Sequence, residues 1–362
     1  MRRARALIAG GGPAGAAAAI SLARSGLAPE LIERTSGAHD LVCGGFLGWD
    51  ALAALRRLGL DAAALGARPI ERLRLVAGER VVEAKLPRLA AGLSRRRLDA
   101  ALLEAAEAAG APVLRGRVAR AAEGRRLRLD DGEEIEAEAL FLATGKHELR
   151  GLARPLEARG EEPAAGLRAA LPATPRLEAA LGGVIELHLF DQGYAGLLLQ
   201  EDGSANLCLS VSRRRLAAAG SPAALVAAIA AEAPRLGDRI GAAVPEAWEA
   251  VAGVPYGWRA AATEPGIFRI GDQAAVIASL AGDGIAIALT SGLGAAEAYR
   301  AGGPGGAEAW QRGFARRAAR PVAVAERLRR AAERSGPRGA LMRLLGAMPM
   351  LVPLAARLTR IG

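Results

Sequence analysis

The sequence predicts an α/β fold with a Rossmann-like parallel sheet, an inserted and mainly antiparallel second sheet, and a C-terminal helical tail. The first observation is a βαβ unit: an apolar run at residues 4–9 passes through clustered glycines into an alanine-rich helix, and a second strand ends at Glu33. The second is a set of strand-like runs that turn at glycines between residues 184 and 211, which is typical of an antiparallel sheet. The third is the Arg-rich helical pattern after Gly302.

The remaining elements follow from the same patterns. Helical or strand periodicity predicts helices at 13–25, 49–58 and 95–109, strands at 73–76, 80–85, 140–143 and 268–271, and a helix that opens at Gly284. The pair of strands around Gly78 is antiparallel and therefore marks an insertion into the parallel sheet. We predict a discontinuous domain built on the parallel sheet at 1–70, 94–150 and 255–300, an inserted domain at 71–93 and 151–254, and C-terminal helices at 301–362.

Composition restricts the function classes. Of 362 residues, 51% are hydrophobic and 24% charged, a balance typical of a globular protein with a large core. The net charge of +10 comes from arginines spread along the whole chain, and aromatic residues are only 3%, so a nucleic-acid partner is not expected. Cys43 and Cys208 are the only cysteines and lack metal-ligand spacing, which predicts no metal site and favours a reducing, cytoplasmic location.

A glycine fingerprint lies between the first strand and the first helix. Gly10, Gly12 and Gly15 have the spacing G-x-G-x-x-G, in which the first glycine permits a tight turn, the second admits a pyrophosphate and the third packs the helix on the strand. Glu33 ends the second strand, where its carboxylate can accept the ribose hydroxyls of an adenosine and would repel a 2′-phosphate. The pattern predicts FAD or NAD rather than NADP; purely structural turn glycines are the alternative.

A second constellation lies near the end of the predicted parallel-sheet domain. Gly271 and Asp272 follow a strand, and Gly282 and Gly284 precede a helix. A carboxylate at a strand end can accept a hydrogen bond from a ribityl hydroxyl, and helix amides can face the flavin pyrimidine edge, where negative charge gathers on reduction. An ordinary β-turn before a helix is the alternative interpretation.

These motifs together resemble a known family over roughly residues 4–300. The glycine fingerprint and the later motifs are similar to the group that contains geranylgeranyl reductases, related FAD-dependent dehydrogenases and aromatic hydroxylases (flavoprotein monooxygenases). The matching later motifs are Arg95 with Leu98 and Asp99, Ala143-Thr144-Gly145, Gly271-Asp272, and Gly282-Asp283-Gly284. The resemblance implies that the cofactor is FAD, that Arg95 contacts its phosphates and that Asp272 holds its ribityl chain.

The motifs and the resemblance predict that residues 1–70, 94–150 and 255–300 form the FAD-binding domain and that residues 71–93 and 151–254 form the substrate domain. They also predict one FAD site drawn from separated parts of the chain. Its predicted residues are Gly10, Gly12, Pro13, Ala14, Gly15, Glu33, Arg34, Cys43, Gly44, Gly45, Arg95, Val118, Thr144, Gly145, Gly271, Asp272, Gly282, Gly284 and Ile285.

Within the group, the segment from Val42 to Gly45 looks like the Cys-Gly-Gly loop of the geranylgeranyl reductase branch, which lies beside the isoalloxazine ring. A thiol there can donate a proton or tune the flavin, whereas a lone buried cysteine is usually a small hydrophobe. The prolines that hydroxylases carry after their Gly-Asp motif are absent from residues 277–280, and the Trp-x-Trp motif of flavin halogenases is absent from the sequence. The reductase branch is favoured.

Cys43, Tyr194 and His147 are the candidate catalytic residues. His147 follows the Thr144-Gly145 strand end and can act as an acid or base, or be a solvated loop residue. Tyr194 can line the substrate pocket, as can Tyr256 and Trp258, or pack at a sheet edge. His188 and Glu186 are predicted to form a surface pair on one face of a strand.

We expect an FAD-dependent oxidoreductase, geranylgeranyl-reductase-like, that transfers hydride between flavin and a hydrophobic organic substrate. The alternatives are an FAD-dependent monooxygenase (hydroxylase) using NAD(P)H and O2, and a nucleotide-binding protein without catalysis. No second glycine fingerprint is visible, so NAD(P)H binds transiently or an electron donor protein supplies the reductant. Residues 341–358, apolar with nearby arginines, favour a helix that caps the protein's own apolar surface; an interfacial element that makes peripheral membrane contact and delivers a lipid-like substrate is the alternative.

Overall fold

The computed structural model describes residues 2–160, 163–241, 245 and 247–361. It has the predicted α/β fold with two sheets and a helical C-terminal region. The domain division remains a prediction, and residues 1, 161–162, 242–244, 246 and 362 of its ranges lie outside the described residues.

The first sheet carries the βαβ unit. Strand β1 pairs in parallel with β2 on one side and with β9 on the other, and β15 joins β9 in parallel. The sheet order is β6-β2-β1-β9-β8-β7, and β7 and β8 form the antiparallel hairpin at its edge. The strands are β1 (Arg2–Ala9), β2 (Pro29–Glu33), β6 (Val113–Arg115), β7 (Ala119–Glu123), β8 (Arg126–Leu129), β9 (Glu134–Leu142) and β15 (Ile267–Arg269).

Four helices cover one face of this sheet: α1 (Pro13–Arg24), α2 (Trp49–Arg57), α3 (Arg95–Ala108) and α8 (Gly284–Gly302). Small residues let α1 and α8 approach closely, because a Cβ on Gly292 would lie 2.2 Å from the carbonyl oxygen of Ala14. Beneath the helices, Phe141 stacks on Phe268 at 4.8 Å, and Tyr299 meets both rings edge-on. This packing fixes the strand ends that carry the fingerprint.

The second sheet has the order β14-β10-β13-β12-β11-β4-β5-β3, and all its pairs are antiparallel except β11 with β4. One face packs on helices α4 (Pro175–Leu181), α5 (Arg213–Ala219), α6 (Pro222–Glu232) and α7 (Pro234–Ile240). The other face turns towards the first sheet. The strands are β3 (Phe46–Leu47), β4 (Arg68–Ala77), β5 (Arg80–Gly92), β10 (Ala164–Leu171), β11 (Gly183–Phe190), β12 (Gly193–Leu199), β13 (Ala205–Ser212) and β14 (Glu249–Val254).

The tail forms helices α9 (Ala307–Ala332), α10 (Ser335–Ala347) and α11 (Leu351–Leu358). Helix α9 packs on α8 and β15, while Met342, Leu345 and Val352 of the last two helices pack against strands of the second sheet. Among the described residues, no single helix is both long enough and apolar enough to cross a membrane; α5 with α6 and α10 with α11 meet that test only as sharply bent pairs.

Candidate functional site

A cavity of about 210 Å³ lies between the two sheets, at the carboxyl ends of β1 and β9. In open α/β sheets this edge is the usual place for a ligand. Many predicted site residues converge on it from distant parts of the chain. Those that line the cavity are Gly12, Pro13, Ala14, Cys43, Gly44, Gly45, Arg95, Gly145, Tyr194, Gly271, Asp272, Gly282, Gly284 and Ile285.

The three fingerprint glycines have different physical roles. Gly10 has a φ of 114°, and a Cβ there would lie 2.4 Å from the Ala143 carbonyl oxygen. A Cβ on Gly15 would lie 1.9 Å from the carbonyl oxygen of Gly10, so this glycine packs the helix on the turn. Gly12 precedes α1 in an ordinary extended conformation, and the only atom near its position is an Arg95 nitrogen at 3.5 Å. The unpaired amides of α1 therefore face open space beside a cation.

Glu33 is buried at the end of β2 and stabilises the glycine turn. One carboxylate oxygen accepts the backbone N–H of Gly11 at 2.7 Å, and the other accepts the N–H and hydroxyl of Thr35 at 2.8 and 2.7 Å. Each carboxylate oxygen has further lone-pair capacity. Glu33 therefore positions the turn and still has acceptor sites for a sugar hydroxyl.

Arg95 begins α3 and presents its guanidinium to the cavity. Its nitrogens donate to both oxygens of Asp99, at 2.8 and 2.6 Å. Burial opposes the charge, but the carboxylate of Asp99 and the nearby Cys43 hold the pKa of Arg95 above its usual value. The site thus keeps a fixed positive charge next to the helix terminus.

The Cys-Gly-Gly loop is fastened to the second sheet. The carbonyl of Cys43 accepts the side-chain amide of Asn206 at 2.9 Å, and Asp40 forms an ion pair with Arg168 at 3.2 Å. Arg168 is buried and also donates to Asn206 at 2.8 Å. The loop and the sheet therefore form one wall of the cavity, with the Cys43 thiol beside Arg95.

Asp272 lies just after β15 and lines the cavity opposite the loop. Its carboxylate forms an ion pair with Lys146 at 3.1 Å, and this negative charge raises the pKa of Lys146. Its carbonyl accepts Arg154 at 2.9 Å. The two strand ends that carry Lys146 and Asp272 are joined by these contacts.

The start of α8 is held by the end of the chain. Asp283, directly before the helix, is fully buried and accepts the guanidinium of Arg360 at 2.7 Å and the backbone N–H of Ile361 at 3.0 Å. Burial raises the pKa of Asp283 to about 6 despite the partner arginine. The guanidinium of Arg360 in turn lies over the Trp49 ring at 4.5 Å.

A chain of four hydroxyls crosses the cavity wall. Tyr194 hydrogen-bonds Ser279, which also meets the hydroxyl of Tyr256 at 2.5 Å, and Tyr256 reaches Ser210 at 3.2 Å. Burial, with a contribution from Tyr256, raises the pKa of Tyr194 well above its usual value. Burial likewise raises the pKa of the neighbouring Cys208 thiol to about 12. Tyr194 and Cys208 therefore stay protonated at neutral pH.

Several predicted residues do not line the cavity. Gly10, Gly15 and Glu33 shape the glycine turn without lining the cavity, and Arg34 is exposed. Val118 donates its N–H to Asp130 at 3.1 Å, and the Thr144 hydroxyl donates to the His147 carbonyl at 2.8 Å. The His147 side chain lies outside the cavity and is largely exposed. The desolvation of its less exposed part and the positive charges of Arg34 and Lys146 lower the pKa of His147. Trp258 donates to the Gln273 carbonyl and is absent from the lining.

The prediction of a surface pair at His188 and Glu186 is wrong. Both side chains are essentially fully buried, and Glu186 accepts His188 at 2.7 Å together with Arg74 at 2.7 Å and Arg239 at 2.9 Å. Burial alone would raise the pKa of Glu186, but the hydrogen bonds from His188, Arg239 and Arg74 hold it well below its usual range.

Sequence reasoning missed several cavity residues. Lys146, Ser279 and Cys208 line the cavity, and Asp283 with Arg360 positions its helix. Lys146 directly follows the predicted strand end, which is a signal that was available. Asp283 stands in the Gly282-Asp283-Gly284 motif, but its contact with Arg360, like the contacts of Ser279 and Cys208, joins distant segments and has no local pattern in the sequence.

Comparisons with known proteins agree with this geometry. Residues 3–151 match the family model described as an FAD binding domain. No curated protein sequence matches the chain significantly. The fold is similar to that of a geranylgeranyl bacteriochlorophyll reductase-like protein from Thermoplasma acidophilum, at 19% identity and a TM-score of 0.76 over 100% of this chain and 94% of that one.

Two further solved structures share the fold. The flavin-dependent brominase Bmp2 is 16% identical with a TM-score of 0.72, over 96% of this chain and 94% of that one. PqsL, a probable FAD-dependent monooxygenase from Pseudomonas aeruginosa, is 16% identical with a TM-score of 0.70, over 92% and 97%. The chain therefore contains an FAD binding domain and has the FAD-dependent oxidoreductase fold that these proteins share.

Proposed function

We propose that this enzyme is a reductase that transfers hydride from FAD to a hydrophobic organic substrate, with NAD(P)H or an electron donor protein as the source of electrons. The observation that carries the proposal is an apolar cavity whose buried hydroxyl and thiol groups stay protonated beside the FAD-binding segment. The two free thiols agree with a reducing, cytoplasmic location.

The residues present fit FAD. A pyrophosphate suits the amides of α1 next to Gly12, where a Cβ would project into the open space beside Arg95, and Arg95 supplies the compensating charge. Asp272 would accept a ribityl hydroxyl, and the start of α8 at Gly284 would face the flavin ring. Bound FAD supplies the two-electron chemistry, and the chain's residues orient and protonate the substrate.

Apolar side chains dominate the part of the cavity away from the fingerprint. They include Val42, Leu187, Leu198, Val251 and Val276. A second apolar cavity of about 120 Å³ continues from it and shares Phe46, Ile185, Leu187, Leu280 and Gly282. Such walls favour an extended hydrocarbon over a small polar substrate.

Reduction of a carbon–carbon double bond needs a proton for the second carbon in addition to the hydride. The phenol of Tyr194 supports this role because it lines the cavity, remains protonated and is connected to Ser279, Tyr256 and Ser210. A proton lost by Tyr194 can be replaced along these hydroxyls.

Anaerobic turnover with NADPH and geranylgeranyl diphosphate, followed by mass spectrometry, tests the reaction class. We expect products that have gained pairs of hydrogen atoms. Products that gain an oxygen atom, formed only in air with NAD(P)H, would instead identify the monooxygenase alternative.

Replacing Gly12 with alanine is expected to weaken FAD binding by roughly 10- to 100-fold, because the methyl group displaces the pyrophosphate from the α1 amides. The apo-protein should stay within about 1 kcal/mol of wild-type stability, since Gly12 has an ordinary backbone conformation. Titration of apo-protein with FAD measures the affinity. Gly313→Ala, in an open helical position, is the control, and equal affinity in both variants would contradict the role of Gly12.

Replacing Asp272 with alanine should give folded protein that retains FAD about tenfold less tightly, because a charged acceptor is lost. The released flavin is measured by its absorbance after dialysis. Asp238→Ala removes an exposed carboxylate paired with Arg176 and should behave as wild type. FAD retention equal to wild type in the Asp272 variant would remove this residue from its assigned role.

A further inference from the structure

The turn between α10 and α11 exposes a compact group of large apolar side chains. Leu344, Met348, Met350 and Leu354 have exposed fractions of 49%, 44%, 71% and 49%, and we call them the apolar tip. They supply most of the exposed large apolar residues in the described part of the chain. We propose that the apolar tip docks into the surface of an anionic lipid bilayer.

The tip is presented by a rigid base. Met342, Leu345 and Val352 of the same helices are buried against the second sheet, so the opposite faces point outward. Leu344 lies in the last turn of α10 and Met348 directly follows that helix, while Met350 directly precedes α11 and Leu354 lies in its first turn, so the four side chains flank the connection between the two helices. With their inner faces anchored to the sheet, these helices suit a bilayer surface rather than a span.

The charge of this segment identifies the partner. Residues 335–361 contain Arg338, Arg343, Arg357 and Arg360 and no acidic residue. Arg338 pairs with Asp191 and Arg360 with Asp283, whereas Arg343 and Arg357 are exposed and form no ion pair within the described residues. Anionic headgroups provide the missing partners.

A second copy of the chain suits this face less well. A two-fold contact would bring the arginines of one tip against the same arginines of the other, with no acid in the segment to offset them. The second apolar cavity lies directly beneath, lined by Leu75, Leu341, Leu345, Val352 and Thr359. If the proposed function holds, a lipid-like substrate would enter there from the bilayer.

Sedimentation with extruded vesicles tests the docking on FAD-loaded protein without any substrate. We expect wild type to sediment with vesicles that contain phosphatidylglycerol and much less with pure phosphatidylcholine, with binding weakened by salt. The pair Met350→Ser and Leu354→Ser should lower the partition coefficient at least ~tenfold on anionic vesicles. The pair Arg343→Gln and Arg357→Gln should remove the preference for anionic lipid.

Leu156→Ser is the matched control, because Leu156 is 77% exposed far along the sequence from the tip and should not affect binding. Flavin absorbance and melting temperature verify that each variant is folded. Absence of vesicle binding by wild type, or equal binding by the Met350/Leu354 variant, would overturn the proposal. Concentration-dependent dimerisation that these substitutions abolish would overturn it in favour of a second copy. None of these outcomes depends on whether the enzyme reduces a hydrocarbon.

Discussion

Replacing Tyr194 with phenylalanine is expected to slow substrate reduction by roughly 10²- to 10⁴-fold while leaving FAD bound, because the variant lacks the proton donor. The phenol is buried in the cavity wall, and its hydrogen bond to Ser279 begins the hydroxyl chain. Rapid-mixing measurements with pre-reduced enzyme and geranylgeranyl diphosphate give the rate, and flavin absorbance gives the bound cofactor.

Tyr299→Phe is the control for this experiment. Tyr299 is buried in the first-sheet core, donates to the Arg5 carbonyl at 3.3 Å and does not line the cavity. Its variant should turn over at the wild-type rate. If Tyr194→Phe also reduces substrate normally, the phenol is not the donor, and the Cys43 thiol is the next residue to replace.

Replacing Glu186 with glutamine is expected to lower the free energy of unfolding by about 3–5 kcal/mol. Glu186 is the common acceptor for Arg74, Arg239 and His188, so a neutral amide takes the carboxylate away from Arg239, leaves Arg74 with Glu83 alone, and weakens the buried hydrogen bond to His188. Urea denaturation at pH 7 measures the change. Glu83→Gln, on a half-exposed carboxylate paired with Arg72 and Arg74, should cost no more than about 1 kcal/mol.

The same residue predicts a pH dependence. Because the folded state holds the pKa of Glu186 below its unfolded value, its stabilising contribution is present above the unfolded value of about 4.3 and is lost as the pH falls further. The stability of wild type and of Glu186→Gln should therefore converge in acid. A constant difference between them from pH 7 to pH 3 would contradict this explanation.

The fold could be predicted largely because its elements carry local signals. The βαβ unit follows from strand and helix periodicity around Gly10, Gly12 and Gly15, and the strands at 183–212 turn at glycines. The parallel pairing of β11 with β4 has no such signal, because its partners are about 110 residues apart. Its register depends on which faces the two strands bury once the chain has folded.

In the candidate site, too, residues in local motifs could be predicted and residues placed by distant contacts could not. The residues in short motifs, such as Gly12, Cys43 and Asp272, line one cavity. Ser279 became visible only through its contacts with Tyr194 and Tyr256, which come from other elements. A short motif specifies the backbone conformation of the turn that contains it. The opposite wall of the cavity is assembled from residues of separate elements, so no single motif specifies it.

Glu186 and His188 illustrate why exposure was misjudged. Polar residues two apart on a strand are typical of a solvated face, and the sequence gives no sign that Arg74 and Arg239 approach them. These cations come from β4 and α7, so the pair is satisfied by tertiary contacts. A buried charge requires such partners, and they need not be near in sequence.

The contact of Arg360 and Ile361 with Asp283 makes the tail a support of helix α8. A protease that cuts the exposed turn at Met348 and Met350 would separate Arg360 from its covalent connection to α10. Loss of the yellow colour would then report damage to a segment whose Arg360 lies 77 residues after Asp283 in the sequence, although the glycine fingerprint remained untouched.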